Sequence, residues 1–146
     1  METKMREFLW KCFEIIRHNI FLVAYAVIWL FIVAYFWFIS SNTDAFGFAV
    51  LSFYLALPVC AFVVNLVYGM REDSLKYYLP FFFGVMEILG GFLSFQLSNI
   101  VSNGKWNTWN TPDLEMALYS FVPAVQGLVV GLIIRWIRRR MASNRK

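Results

Sequence analysis

The sequence predicts an all-α integral membrane protein: a bundle of four transmembrane helices with an amphipathic interfacial helix at its N-terminus. The first observation behind this prediction is composition, because 60% of the 146 residues are hydrophobic, 20% are aromatic and the mean hydropathy is +0.61. The second is that the charged residues, 15% of the chain, are clustered and leave long apolar stretches between them. A soluble chain of this length cannot bury that much apolar surface.

Four of these stretches are long enough to cross a bilayer, since about 20 helical residues span the roughly 30 Å hydrocarbon layer. They lie at about residues 20–39, 46–69, 77–101 and 114–134. Helices of a soluble bundle would need polar faces, which these stretches lack. The first stretch is longer than the apolar part of a signal peptide and no clear cleavage site follows it, so we expect it to be retained.

The basic residues indicate how the helices are oriented. Twelve of the 13 Lys and Arg residues lie before the first stretch, between the second and third, or after the fourth, and a four-span topology puts all of these segments on one side of the membrane. Lys105, between the third and fourth stretches, lies on the other side. Because cytoplasmic segments are enriched in Lys and Arg, we predict a multi-pass protein of the cell inner (plasma) membrane with cytoplasmic termini and a cytoplasmic middle loop. The twelve are Lys4, Arg6, Lys11, Arg17, Arg71, Lys76, Arg135, Arg138, Arg139, Arg140, Arg145 and Lys146.

Two segments flank the predicted four-helix domain, residues 20–137. Residues 1–19 place apolar side chains on one helical face and charges on another, which predicts an amphipathic helix on the membrane surface. A docking surface for a cytoplasmic partner is the alternative use of this helix. The tail, residues 138–146, is basic, and its side chains Arg138, Arg139 and Arg140 are expected to attract anionic lipid headgroups at about 1 kcal/mol per charge, in preference to nucleic acid.

The loops that join the apolar stretches predict helix caps and interface anchors. Side chains of residues 42–44 suit the start of the second helix, and those of residues 111–113 suit the start of the fourth. Trp106 and Trp109 lie in the longest loop and are expected at the outer interface as part of an aromatic belt. Stacking on a ligand is the alternative role for these two rings.

Small residues recur at helical spacing along the third and fourth stretches. Such stripes let helix backbones approach closely, which is how membrane helices gain packing energy. We expect the two stripes to pack against each other, or one of them to form a contact between subunits. The third stretch contributes Pro80, Gly84, Glu87, Gly91, Ser94 and Ser98, and the fourth contributes Ala117, Ser120, Ala124, Gly127 and Gly131.

Glu87 places a carboxyl group in the middle of the third apolar stretch. An ionised carboxylate at that depth costs several kcal/mol, so we expect a largely neutral group that can donate a hydrogen bond. Counting inward from the flanking basic residues puts Gln126 at a similar depth, which makes it the predicted partner, with Asn65 and Tyr68 as secondary candidates. A paired Glu87 would hold helices together, whereas a Glu87 that faces a cavity could carry protons or bind a cationic ligand.

The sequence offers little for catalysis, for a cofactor or for a metal. His18 is the one histidine, and Cys12 and Cys60 lie 48 positions apart with no metal-binding companion. The short motifs of hydrolases, zinc proteases and dithiol oxidoreductases are not found. We therefore expect a protein that is not an enzyme and needs no cofactor.

Two functions remain open at this point. The first is a non-catalytic membrane protein that assembles with itself or with a partner subunit in an accessory, scaffold or regulatory role. The second is a small proton-coupled transporter or channel that uses Glu87. We favour assembly because Glu87 lies within a stripe of packing residues, which gives the carboxyl group a structural use.

Overall fold

The computed structural model describes residues 19–38, 47–48, 50–72, 74–103 and 114–143. Within these residues the protein is helical without strands, and four helices are long and apolar enough to cross a membrane. Most of the predicted amphipathic helix, the predicted caps, Cys12, Trp106 and Trp109 lie outside the described residues.

Four helices, named α1 to α4, follow each other along the chain. A short 3₁₀ turn, Ser74–Tyr77, joins the second to the third. The second begins as a π-helix (Val50–Ala56) and the third contains one (Phe92–Gln96). The helices are α1, Ile20–Phe38; α2, Val50–Met70; α3, residues 79–103; and α4, Glu115–Ser143.

The fourth helix is longer than the sequence predicts. The apolar stretch ends near residue 134, but α4 continues without a break to Ser143 and is about 43 Å long. Arginine is a good helix former, and Arg135 and Arg139 both bind Glu72, which follows α2. Most of the predicted basic tail is therefore an extension of α4.

Packing is most extensive between α2 and α4. These two helices run in the same direction, since the rings of Tyr54 and Tyr119 lie 4.4 Å apart near their starts and Gly69 meets Gly131 near the end of α2. The third helix runs in the opposite direction and contacts the first half of α4. We call the end of the helices that carries Arg71, Lys76 and Arg135 the basic end, and the other the far end.

The first helix is the least covered of the four. It buries three side chains, Tyr25, Trp29 and Ile32, against α2 and α3. Near the far end, Phe36 extends this contact by packing its ring 5.3 Å from that of Phe95 in α3. Aromatic side chains therefore provide most of the contact that holds α1 in place.

Candidate functional site

The centre of the candidate site is the carboxyl group of Glu87, which is completely buried between α3 and α4. The hydroxyl of Ser120 donates a hydrogen bond of 2.5 Å to Oε2 of Glu87. Ser120 is itself completely buried. This bond joins two antiparallel helices through a buried contact between two polar side chains.

Small residues on both helices bring these two side chains together. Gly84 lies one turn before Glu87 and faces Ala117 and Phe121, and Gly91 lies one turn after it and faces the side chain of Met116. Because α3 has no side chain at these two positions, α4 approaches closely enough for the short side chain of Ser120 to reach the carboxyl group. The small-residue stripe therefore makes the polar contact feasible.

The predicted pairing of Glu87 with Gln126 does not form, because Gln126 is exposed. It lies six residues beyond Ser120, and six residues rotate an α-helix by about 600°, so the two side chains point to different faces of α4. Counting residues from the flanking charges measured depth but ignored this rotation. The repeat of small residues already marked Ser120 as inward-facing, and that signal identifies the observed partner.

Tyr25 brings α1 into the site. Its hydroxyl is buried in the neighbourhood of Glu87 and of Cys60 of α2. Beside it, the indole nitrogen of Trp29 donates a hydrogen bond of 2.9 Å to the carbonyl oxygen of Met86. Within the described part of the chain, Oε1 of Glu87 and the Tyr25 hydroxyl have no hydrogen-bond partner.

The other polar candidates stay apart from this centre. Asn65 is buried in α2, where its amide donates a 2.8 Å hydrogen bond to the carbonyl oxygen of Ala61. Tyr68 donates a 2.7 Å hydrogen bond to the side-chain oxygen of Asn19 at the basic end. Neither of them bonds to Glu87. Ser94 is buried one helical turn from Gly91, towards the far end.

The two glycines of α4, Gly127 and Gly131, pack against α2 rather than α3. A β-carbon at Gly127 would overlap the carbonyl oxygen of Phe62, and one at Gly131 would overlap that of Leu66. On the α2 side, a β-carbon at Gly69 would come within 2.8 Å of the carbonyl oxygen of Leu128. The small-residue stripe of α4 therefore contacts two helices. Ala117 and Ser120 contact α3, and the two glycines pack against α2.

Charged groups form a network at the basic end. The Arg71 carbonyl oxygen accepts hydrogen bonds from Arg135 at 3.2 Å and from Lys76 at 3.4 Å. Glu72 binds both Arg135 and Arg139. Lys76, one of the basic residues of the middle loop, is only 5% exposed. Of the predicted membrane-surface residues, Arg138 is exposed and Arg140 lies over the ring of Trp136, 4.4 Å from its centroid.

Comparisons with protein-family models, with curated proteins and with solved structures found no match to this chain. Among the described residues, no group of three His, Cys, Asp or Glu side chains could hold a metal ion. The site consists of a buried acid that accepts a hydrogen bond from a serine hydroxyl, with a buried phenol nearby.

Replacing Ser120 with Ala is expected to destabilise the fold by about 1 kcal/mol. The substitution removes an interhelical hydrogen bond and leaves the buried Glu87 carboxyl group without a donor. The measurement is the free energy of unfolding in lipid nanodiscs or mixed micelles. Ser94→Ala is the matched control: Ser94 is equally buried, but no described residue bonds its hydroxyl. We expect that control to be neutral or slightly stabilising, and equal losses in both variants would contradict the role of Ser120.

Proposed function

We propose that this protein is a non-catalytic, multi-pass protein of the cell inner (plasma) membrane that acts through helix–helix assembly with itself or with a partner subunit. Its role would be accessory, structural or regulatory. In this proposal the four helices form a membrane bundle, both termini are cytoplasmic, and the arginines of the basic end contact anionic lipid headgroups. Four apolar helices and a one-sided distribution of Lys and Arg support this arrangement.

The observation that carries the proposal is the position of Gln126. Its carboxamide is exposed near the middle of the apolar part of α4. Within the described spans, the other exposed polar side chains before Arg135 are aromatic, apart from Glu115 at the start of α4. An amide that faces hydrocarbon loses its hydrogen bonds to water, and a second transmembrane segment can restore them. In this proposal Gln126 binds a polar group of another membrane protein.

Glu87 has an internal role in this proposal. Its bond to Ser120 fixes the spacing of α3 and α4, and α4 in turn presents Gln126 on a different face. A buried polar pair of this kind favours one helix register over others that would leave the carboxyl group unpaired. The buried acid would thus shape the surface that the partner binds.

A photoreactive amino acid at position 126 tests the proposal in native membranes. We expect it to give protein adducts of discrete mass, because a bound segment would cover this position. The matched control is position 30, since Leu30 is also exposed, at 60%, but lies on α1. Adducts with lipid alone at both positions would overturn the proposal.

A second candidate function is a small proton-coupled transporter or channel that uses Glu87. The observation that favours it is that Oε1 of Glu87 and the hydroxyl of Tyr25 are both buried without a hydrogen-bond partner among the described residues. Unpaired buried polar atoms are uncommon and mark sites that take up water, a proton or a polar ligand. Both atoms belong to groups that can exchange protons.

Glu87→Gln separates the two functions, because glutamine keeps the size and the acceptor oxygen but cannot release a proton. For an assembly protein we expect folding and adduct formation at position 126 to be retained. For a proton-coupled transporter we expect flux in reconstituted vesicles to be lost while the fold is kept. A wild-type protein without ligand-driven or pH-driven flux would remove the transport candidate.

A further inference from the structure

We propose that the exposed face of α4 is a self-association seam that pairs two copies of this chain in parallel, with the two Gln126 side chains bonded to each other across a twofold axis. This inference rests on the proposed assembly function and names the partner as a second copy. The seam consists of Val122, Gln126, Val129, Ile133 and Trp136, all of them exposed.

The spacing of these residues is the first argument. They follow each other at intervals of four, three, four and three, a 3.5-residue repeat. In two-stranded coiled coils the repeat keeps one stripe of side chains facing the partner along a left-handed supercoil. The stripe from Val122 to Trp136 is about 21 Å long, which is two heptads and most of the apolar part of α4.

The chemistry of the carboxamide is the second argument. An amide carries both donors and an acceptor, so two copies of the same side chain can exchange two N–H···O hydrogen bonds. Two identical chains inserted with the same topology bring Gln126 to the same depth, and a twofold axis normal to the membrane makes the two side chains meet. A different partner would need a polar residue of its own at that depth, which a second copy has by construction.

The use of the glycines is the third argument. A GxxxG pattern such as Gly127 to Gly131 often drives dimerisation of membrane helices. Here both glycines lie against the backbone of α2 in the same chain, so they are not free to contact a second copy. The α4 face left for assembly is the one that carries Gln126, and a polar residue at a single seam position specifies register and chain number.

Charge sets where the contact should end. Beyond Trp136, Arg138 and Arg140 are exposed, and the same charges of a second copy would repel them. Arg139 is already bound to Glu72, and Arg140 lies over Trp136. We therefore expect the paired segment to run from Val122 to Trp136 and the helices to separate after it.

Fluorescence energy transfer between donor-labelled and acceptor-labelled full-length copies tests this seam over a range of protein-to-lipid ratios in vesicles. We expect concentration-dependent transfer for the wild-type chain. Gln126→Leu should weaken association about three- to thirtyfold, because it removes the amide pair but keeps an apolar seam. Val85→Leu is the control, since Val85 is exposed at 62% on α3, outside the seam; we expect no change.

Single cysteines at positions 122, 129 and 133, in a chain whose own cysteines are replaced, should form disulfides between copies, whereas cysteines at 30 and 85 should not. Absence of energy transfer at every ratio, or equal crosslinking at all five positions, would overturn the seam. If position 126 then gives photoadducts with a different protein, the self-association inference is wrong while the assembly function stands. If it gives adducts with lipid alone, both are wrong.

Discussion

Gly127→Leu is expected to abolish the folded arrangement of α2 and α4, with a loss of more than about 3 kcal/mol in the free energy of unfolding. The first side-chain atom added at this position would already overlap the carbonyl oxygen of Phe62. A backbone atom cannot move aside by changing a rotamer, so the two helices must separate. The measurement is unfolding in nanodiscs, together with the yield of monodisperse protein.

Gly84→Ala is the matched control for this variant. Gly84 is also a buried glycine in a helix interface, but a β-carbon there would lie 3.4 Å from the carbonyl oxygen of Ala117, close to ordinary contact. Alanine also favours a helix by about 1 kcal/mol relative to glycine. We expect Gly84→Ala to be neutral or stabilising, and a Gly127→Leu protein as stable as wild type would contradict the close approach of α2 and α4.

Trp29→Ala is expected to cost about 3–5 kcal/mol and to detach α1 from the other helices. Trp29 is one of three buried side chains of α1, and its indole bonds to the backbone of α3 at Met86. The adjacent Gly90 leaves room for the ring, because a β-carbon there would lie 3.1 Å from the indole nitrogen.

Unfolding measurements and a disulfide between engineered cysteines in α1 and α3 check this result. Trp37→Ala is the control, because Trp37 lies on the same helix and also donates an indole hydrogen bond to α3, at 3.1 Å to Leu93, but is exposed. We expect its substitution to cost about 1 kcal/mol or less. Similar losses for the two tryptophans would show that burial of Trp29 does not anchor α1.

The helices themselves could be predicted because hydropathy depends on composition within one segment. Long apolar stretches can be identified without knowledge of tertiary contacts, and all four coincide with helices of sufficient length. The inward direction of Glu87 could also be predicted, since Gly84 and Gly91 repeat at helical spacing on its own helix. The basic extension of α4 was missed because the apolar stretch ends where the arginines begin. Helix propensity remains high beyond that point, since arginine is a good helix former.

The partners of these helices could not be predicted in the same way. Short loops indicate that neighbours in sequence lie side by side, but the closest contact joins α2 to α4, which are not consecutive. Gly69 therefore looked like the end of an apolar stretch rather than half of a glycine contact. The burial of Lys76 could not be predicted either, since nothing local to it reveals that the Arg71 carbonyl oxygen would accept its hydrogen bond.

The unbroken length of α4 has a mechanical consequence. The same helix carries Gln126 in its apolar part and Arg139 at the basic end, where Arg139 binds Glu72. A continuous helix transmits rotation along its axis, so turning the Gln126 face relative to the other helices would pull Arg139 away from Glu72. Gln126 and Arg139 therefore rotate together about the axis of α4. A partner that rotated the apolar part of this helix would also change the contact between Arg139 and Glu72.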